Sequence, residues 1–214
     1  MLSKLKDPVS GITHLVGAVL SVIALIFMIY HSISANSIAS IIASVVFGLS
    51  LILLYSASAS YHLINVSERV TAVLRRIDHM MIFVLIAGTY TPICLITLAG
   101  RTGNIILFSI WAIAILGIIL KLVWFNAPRW LYTLFYIAMG WLVVFAFAPI
   151  SKIMALPGIV FMVLGGIVYS LGGVIYALKW PIRNGKYFGF HEIFHIFVMA
   201  GSAFHFIMIY NYVL

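Results

Sequence analysis

Seven apolar segments of about twenty residues each constrain the fold of this 214-residue chain more than any other feature. A helix needs about 20 apolar residues to cross the hydrocarbon core of a bilayer. Charged residues make up 7% of the chain, against about 25% in soluble domains. The sequence therefore predicts an all-α integral membrane protein, a seven-transmembrane helical bundle that forms one membrane domain over residues 1–214. The predicted spans are 12–33, 38–63, 77–98, 104–124, 129–150, 158–179 and 190–213.

Polar or turn-prone stretches separate these spans, and NVSERVTAVLRR (65–76) is the longest of the predicted breaks that carry charge. Span 6 contains the glycine pairs Gly165/Gly166 and Gly172/Gly173, which recur at an interval of seven residues. Small residues let helix backbones approach closely in a bilayer, so these pairs predict tight packing of span 6 against its neighbours.

The distribution of basic residues predicts a cytoplasmic N-terminus and a C-terminus outside. With this orientation ten basic residues fall inside and two outside, a strong positive-inside bias. The ten are Lys4, Lys6, Arg69, Arg75, Arg76, Lys121, Arg129, Lys179, Arg183 and Lys186, and the two are Arg101 and Lys152. Contacts between these loops and anionic lipid headgroups account for the net charge of +8, and nothing in the pattern indicates nucleic acid.

Several polar residues fall at the cytoplasmic ends of their spans in this topology. Ser58 and His62 lie at the end of span 2, Asp78 begins span 3, and His191 and His195 begin span 7. Two histidines four residues apart project from one helix face, about 6 Å apart at Cβ, and can share a metal ion. A histidine pair alone more often reflects helix packing, but ionisable residues within membrane spans are costly and usually functional.

Three imidazoles from spans 2 and 7 would make a His₃ site with an open fourth position, as in catalytic zinc centres. Its charge of +2 favours a nearby carboxylate, which Asp78 is at the right depth to supply. Asp78 could take a proton from the water at the metal, with the Ser58 hydroxyl beside it. The sequence thus predicts a zinc ion held by His62, His191 and His195.

The four remaining histidines are not expected to bind the metal, and His79 is interpreted as a headgroup-facing neighbour of Asp78. His14, at the start of span 1, is expected to pack or to form a hydrogen bond rather than act as a fourth ligand. His205 lies 14 residues beyond His191, about 21 Å along a helix, and is also expected to be structural. His31 falls in a loop on the outer side.

The segment HEIFH (191–195) matches the H-E-x-x-H pattern of zinc metalloproteases, in which the glutamate acts as a general base. Such enzymes take a third protein ligand from residues after the motif. Here Val198 and Gly201 occupy the positions of the glycine and third histidine of the metzincin spacing, and no acidic residue follows Glu192. The protease match is therefore interpreted as coincidental, and Glu192 is expected to face basic residues of the cytoplasmic loops.

Three blocks of the chain resemble the hemolysin III family, which is related to the adiponectin and progestin receptors and, more distantly, to alkaline ceramidases. The blocks are THLVGAVL (13–20), SASYHLINVSERVTAVLRRIDHMMIFVLIAGTYTP (58–92) and HEIFHIFVMAGSAFHF (191–206). The spacing of Ser-x₃-His, Asp and His-x₃-His is the family's signature.

The resemblance implies a multi-pass protein of the bacterial plasma membrane in which His62, His191 and His195 bind zinc. It also implies that Asp78 and Ser58 accompany the water at the metal, and that the middle of the His-x₃-His motif is variable. Three functions are consistent with this: zinc-dependent hydrolysis of a lipid amide or ester linked to membrane homeostasis, a non-enzymatic lipid sensor with structural zinc, and a cytolytic pore. In each of them membrane lipids are the expected partners.

Overall fold

Seven helical segments of this protein are long and apolar enough to cross a membrane, in a computed structural model that describes residues 6–124, 126–182 and 188–214. The predicted all-helical, seven-span architecture is therefore confirmed. The helices are α1 (Pro8–Ser34), α2 (Ile38–Leu63), α3 (Glu68–Pro92), α4 (Arg101–Val123), α5 (Arg129–Gly140), α6 (Phe147–Ile153), α7 (Leu156–Leu178) and α8 (Phe190–Tyr212). Helices α1 to α4 are spans 1 to 4, α5 and α6 share span 5, and α7 and α8 are spans 6 and 7.

Span 3 departs most from its predicted bounds, because α3 begins at Glu68 rather than near residue 77. The predicted break over 65–76 is therefore helical from Glu68 onward. Glutamate, arginine, alanine and leucine, which make up much of this stretch, all have high helix propensity, so polarity alone does not end the helix. Glu68 also lies in the first turn, where a carboxylate interacts favourably with the positive end of the helix dipole.

Span 5 is interrupted between α5 and α6 by a 3₁₀ segment, Trp141–Ala146. The Tyr90 hydroxyl of α3 donates to the carbonyl of Gly140 at 2.7 Å and accepts from the backbone N–H of Val143 at 2.7 Å. Backbone groups within a bilayer must find partners inside the protein. The Tyr90 hydroxyl therefore provides a hydrogen-bond partner for one carbonyl and one N–H group at the break in the helix.

The glycine pairs of α7 mark its close contacts with two neighbours, as predicted. A Cβ added at Gly165 would lie 2.7 Å from His205 Nε2, and one added at Gly172 would lie 2.7 Å from Phe197 Cβ, both in α8. A Cβ at Gly173 would lie 3.2 Å from Thr133 in α5. The two pairs thus divide their contacts between spans 5 and 7.

The first and last spans meet, and this contact positions the polar residues. Helix α1 packs along α2 and contacts α8, α2 packs against α3, and α7 packs along α8. Phe47, Met208 and Ile209 form part of the shared core and are fully buried. The end of α2 and the starts of α1, α3 and α8 consequently converge at one end of the bundle.

Seven spans place the two termini on opposite sides of the membrane, whereas the side of each terminus stays a prediction. Three of the basic residues used for that prediction, Lys4, Arg183 and Lys186, lie outside the described residues.

Candidate metal centre

Three histidines from two spans converge at this end of the bundle. His62 lies in the last turn of α2, and His191 and His195 lie in the first two turns of α8. One ring nitrogen from each lies within 4.8 Å of the other two, and the Nε2 atoms of His62 and His191 are 3.2 Å apart. His62 and His195 are each 2% exposed and His191 is half-buried.

This nitrogen arrangement fits a zinc ion. A tetrahedral centre with Zn–N distances of about 2.0–2.1 Å places its ligand nitrogens about 3.4 Å apart. The Nε2 separation of 3.2 Å between His62 and His191 is close to that value, and a ring nitrogen of His195 lies within 4.8 Å of both. Imidazole nitrogen also suits copper, iron and nickel, so the geometry supports a metal site without selecting the metal.

Two of the histidines contact residues that the sequence did not assign to the site. His62 Nδ1 lies 3.2 Å from Asp7 Oδ2, and His195 Nδ1 lies 3.2 Å from the carbonyl oxygen of Ser10. Asp7 is the N-cap of α1, and Ser10 lies in its first turn. No spacing in the sequence links these two residues to His62 and His195.

Glu192 is occupied by contacts at the start of α8. Its Oε1 accepts from the Ser10 hydroxyl at 2.7 Å, and its Oε2 accepts from the backbone N–H of Gly189 at 2.7 Å. The second contact is the glutamate half of a capping box and satisfies the Gly189 N–H at the start of α8, while Gly189, the N-cap, has no side chain to complete the box. The described contacts of the carboxylate therefore join the ends of α1 and α8. The expectation that Glu192 faces basic loop residues stays a prediction, because Arg183 and Lys186 lie outside the described residues.

His14 packs against the triad without joining it. Its ring stacks on that of His195 with centroids 3.7 Å apart, and it meets Tyr55 edge-on at 5.0 Å. Among the described residues, neither ring nitrogen of His14 has a hydrogen-bond partner within the protein. This agrees with the predicted packing role.

Asp78 and Ser58 lie beside the histidines at the wall of a cavity of about 640 Å³. Asp78 is 8% exposed and Ser58 is 1% exposed, and both residues line the cavity. The same cavity is lined by His191 and His195. The structure therefore gathers all five predicted site residues, with Asp78 outside the group that can coordinate a metal directly.

The cavity extends from this polar end into the interior of the bundle between α3, α5, α7 and α8. Most of its exposed lining is apolar, with residues such as Leu85, Val143 and Phe194. His205 also lines it, ten residues and about 15 Å beyond His195, and stacks on Tyr169 at 5.4 Å. His31, which was expected in an outer loop, instead lies in the last turn of α1 and contacts Tyr210 near the other end of α8.

Comparison with known proteins places this arrangement in a family. A family model described as "Haemolysin-III related" matches residues 2–206. The chain belongs to the hemolysin III family. It is 39% identical to Hemolysin-3 of Bacillus cereus over 210 residues, which cover 98% of this chain and 92% of that protein. It is also 36% identical to the Hemolysin-3 homolog of Bacillus subtilis (strain 168), over 92% of this chain and 90% of that protein.

Family membership confirms the resemblance drawn from the three sequence blocks. Together with the seven apolar helices, it identifies a multi-pass membrane protein of the bacterial plasma membrane. In this hemolysin III protein the signature residues of spans 2, 3 and 7 meet at one end of the bundle, around a histidine triad that can bind a metal ion.

Proposed function

We propose that this hemolysin III protein is a zinc-dependent hydrolase that cleaves an amide or ester bond in a membrane lipid. The observation that carries the proposal is the position of the histidine triad, which lies at the polar end of an otherwise largely apolar cavity. Ligand cavities commonly measure about 300–1,000 Å³ and combine apolar walls with a few convergent polar groups. The volume of about 640 Å³ suits an acyl chain with its polar linkage next to the triad.

Zinc held by His62, His191 and His195 would supply Lewis acidity and an open coordination position. Three protein ligands favour this catalytic type of site over a structural one, because structural zinc sites usually have four protein ligands. This is the argument against a sensor in which zinc only ties spans 2 and 7 together.

Asp78 is proposed as the general base. A carboxylate oxygen of Asp78 removes a proton from the water that attacks the lipid carbonyl, and then delivers it to the departing amine or alcohol as the C–N or C–O bond breaks. Ser58 lines the cavity together with Asp78 and supplies a hydroxyl that can orient the carboxylate. The apolar walls hold the acyl chain and exclude competing water.

Asp78→Asn tests this assignment. The purified protein, loaded with zinc, is incubated in mixed micelles with ceramides, monoacylglycerols and lysophospholipids, and released fatty acid is measured by mass spectrometry. Asp78→Asn should retain zinc and lose turnover by about 10²–10⁴-fold, since general-base catalysis contributes factors of that size. Glu68→Gln, at an exposed acidic residue at the start of the same helix, is the matched control.

Turnover in Asp78→Asn equal to that of Glu68→Gln would contradict the role of Asp78. Equal fatty-acid release by zinc-loaded and zinc-free wild-type protein would contradict the hydrolase itself. Cytolysis, which the names of the relatives suggest, is tested in parallel by dye release from liposomes. Release by the zinc-free protein would favour pore formation over hydrolysis.

A further inference from the structure

Residues 6–10, here called the N-terminal strap, lie directly against the histidine triad. Lys6 Nζ lies 3.8 Å from the centroid of the Tyr61 ring, and the backbone N–H of Asp7 donates to the carbonyl of His62 at 3.0 Å. Both contacts join the strap to the last turn of α2. The position of His62 is therefore coupled to the strap through the main chain as well as through the Asp7 side chain.

The Asp7 side chain determines which nitrogen of His62 carries the proton. An ionised carboxylate only accepts hydrogen bonds, so the contact of 3.2 Å between Asp7 Oδ2 and His62 Nδ1 requires a proton on Nδ1. Nε2 then has a free lone pair, and this is the nitrogen that lies 3.2 Å from His191 Nε2. The Asp7 side chain is 46% exposed, whereas the His62 ring that it contacts is 2% exposed.

The Ser10 carbonyl has the same effect on His195. A backbone carbonyl has no proton to donate, so the contact of 3.2 Å with His195 Nδ1 also requires the proton on Nδ1 and leaves Nε2 free. Ser10 is completely buried, and its hydroxyl donates to Glu192 Oε1 at 2.7 Å. Glu192 thus holds the residue whose carbonyl orients His195.

We propose that Asp7 and Ser10 are positioning residues of the metal centre, which fix His62 and His195 in the tautomer that presents Nε2 to the ion. Carboxylates and backbone carbonyls behind a ligating histidine raise its basicity and hold its ring plane. The inference rests on the zinc site of the proposed function and is independent of hydrolysis. The start of α1 then contributes to metal binding by orienting two of the ligands, although α1 supplies no ligand itself.

Zinc affinity of the purified protein tests the role of Asp7, by competition with a chromogenic chelator. Asp7→Ala should bind zinc about 10–100-fold more weakly, the usual cost of losing such a partner. Asp7→Asn should show a smaller loss, because its amide oxygen accepts the same bond without a charge. Glu68→Ala removes an equal charge from an exposed position and should bind like the wild type.

Cobalt substitution supplies a readout of ligand geometry. The visible absorption of Co²⁺ in Asp7→Ala should differ from that of Glu68→Ala, because the His62 ring loses its orientation. Relative to Glu68→Ala, the unfolding midpoint of Asp7→Ala should fall less in excess chelator than with zinc bound, because only the zinc-bound form also loses metal affinity. Should Asp7→Ala fail to fold, Asp7→Asn carries the same comparison.

The proposal is overturned if Asp7→Ala and Glu68→Ala bind zinc equally while His62→Ala loses it. It is also overturned if Asp7→Ala lowers stability equally with and without zinc, which would indicate a purely structural role. Zinc retention by His62→Ala and His191→Ala has a different meaning, because it would refute the metal site of the proposed function.

Discussion

Glu192 gives the sharpest test of how HEIFH should be interpreted. In a zinc metalloprotease the glutamate of this motif is the general base, and Glu192→Gln would lower turnover by about 10²–10⁴-fold while leaving the fold intact. In this structure the carboxylate instead accepts from Ser10 and from Gly189, each at 2.7 Å. We therefore expect Glu192→Gln to affect stability more than chemistry.

The two contacts determine the size of the effect. A glutamine can keep both, with its amide oxygen accepting from the Gly189 N–H and its NH₂ group donating to the Ser10 hydroxyl. Hydrogen bonds to a charged group are roughly twice as strong as neutral ones, so this exchange should cost about 1 kcal/mol of unfolding free energy. Glu192→Ala leaves two buried donors unpaired, at about 1–3 kcal/mol each, and should cost about 2–6 kcal/mol.

Unfolding in mixed detergent micelles, followed by the fluorescence of the five tryptophans, measures these costs. Zinc content and lipid turnover are measured on the same preparations. Glu192→Gln should keep its zinc and lose less than about threefold in turnover, well below the loss of a general base. An unchanged stability combined with abolished turnover would refute this reasoning and restore Glu192 as the base.

Three further predictions concern topology, metal and packing. A reporter fused after Leu214 should be active on the outer side of the membrane, because of the bias of basic residues; activity in the cytoplasm would reverse the predicted orientation. Metal analysis should show that His191→Ala loses most bound zinc and that His205→Ala retains it, because His205 lies about 21 Å from His191 along α8. Equal zinc retention in the two variants would exclude the triad as the metal site. Gly165→Leu should destabilise the protein by about 1–3 kcal/mol through overpacking against His205. Gly166→Leu, whose added Cβ would have its nearest neighbour at 3.8 Å, is the control, and an equal loss in both would contradict the proposed packing.

The span count follows from the sequence because the bilayer imposes a length and a polarity on each segment. An apolar run of about twenty residues has one low-energy outcome in a membrane, and this holds whatever its neighbours are. Helix ends are less well determined. The start of α3 at Glu68 shows that charged residues with high helix propensity extend a helix beyond its apolar part.

Some residues of the candidate site could likewise be predicted from the sequence, and others could not. The i, i+4 pair of His191 and His195 is a local property of α8, and the positive-inside pattern placed His62 and Asp78 at the same depth, so the five predicted residues could be chosen from sequence. The roles of Asp7, Ser10 and Glu192 could not, because Ser10 and Glu192 are 182 residues apart and meet only when the first and last spans close the bundle. Hydrophobicity acts on each segment separately, whereas a hydrogen bond between distant segments depends on how helices pack, and only the tertiary structure decides that.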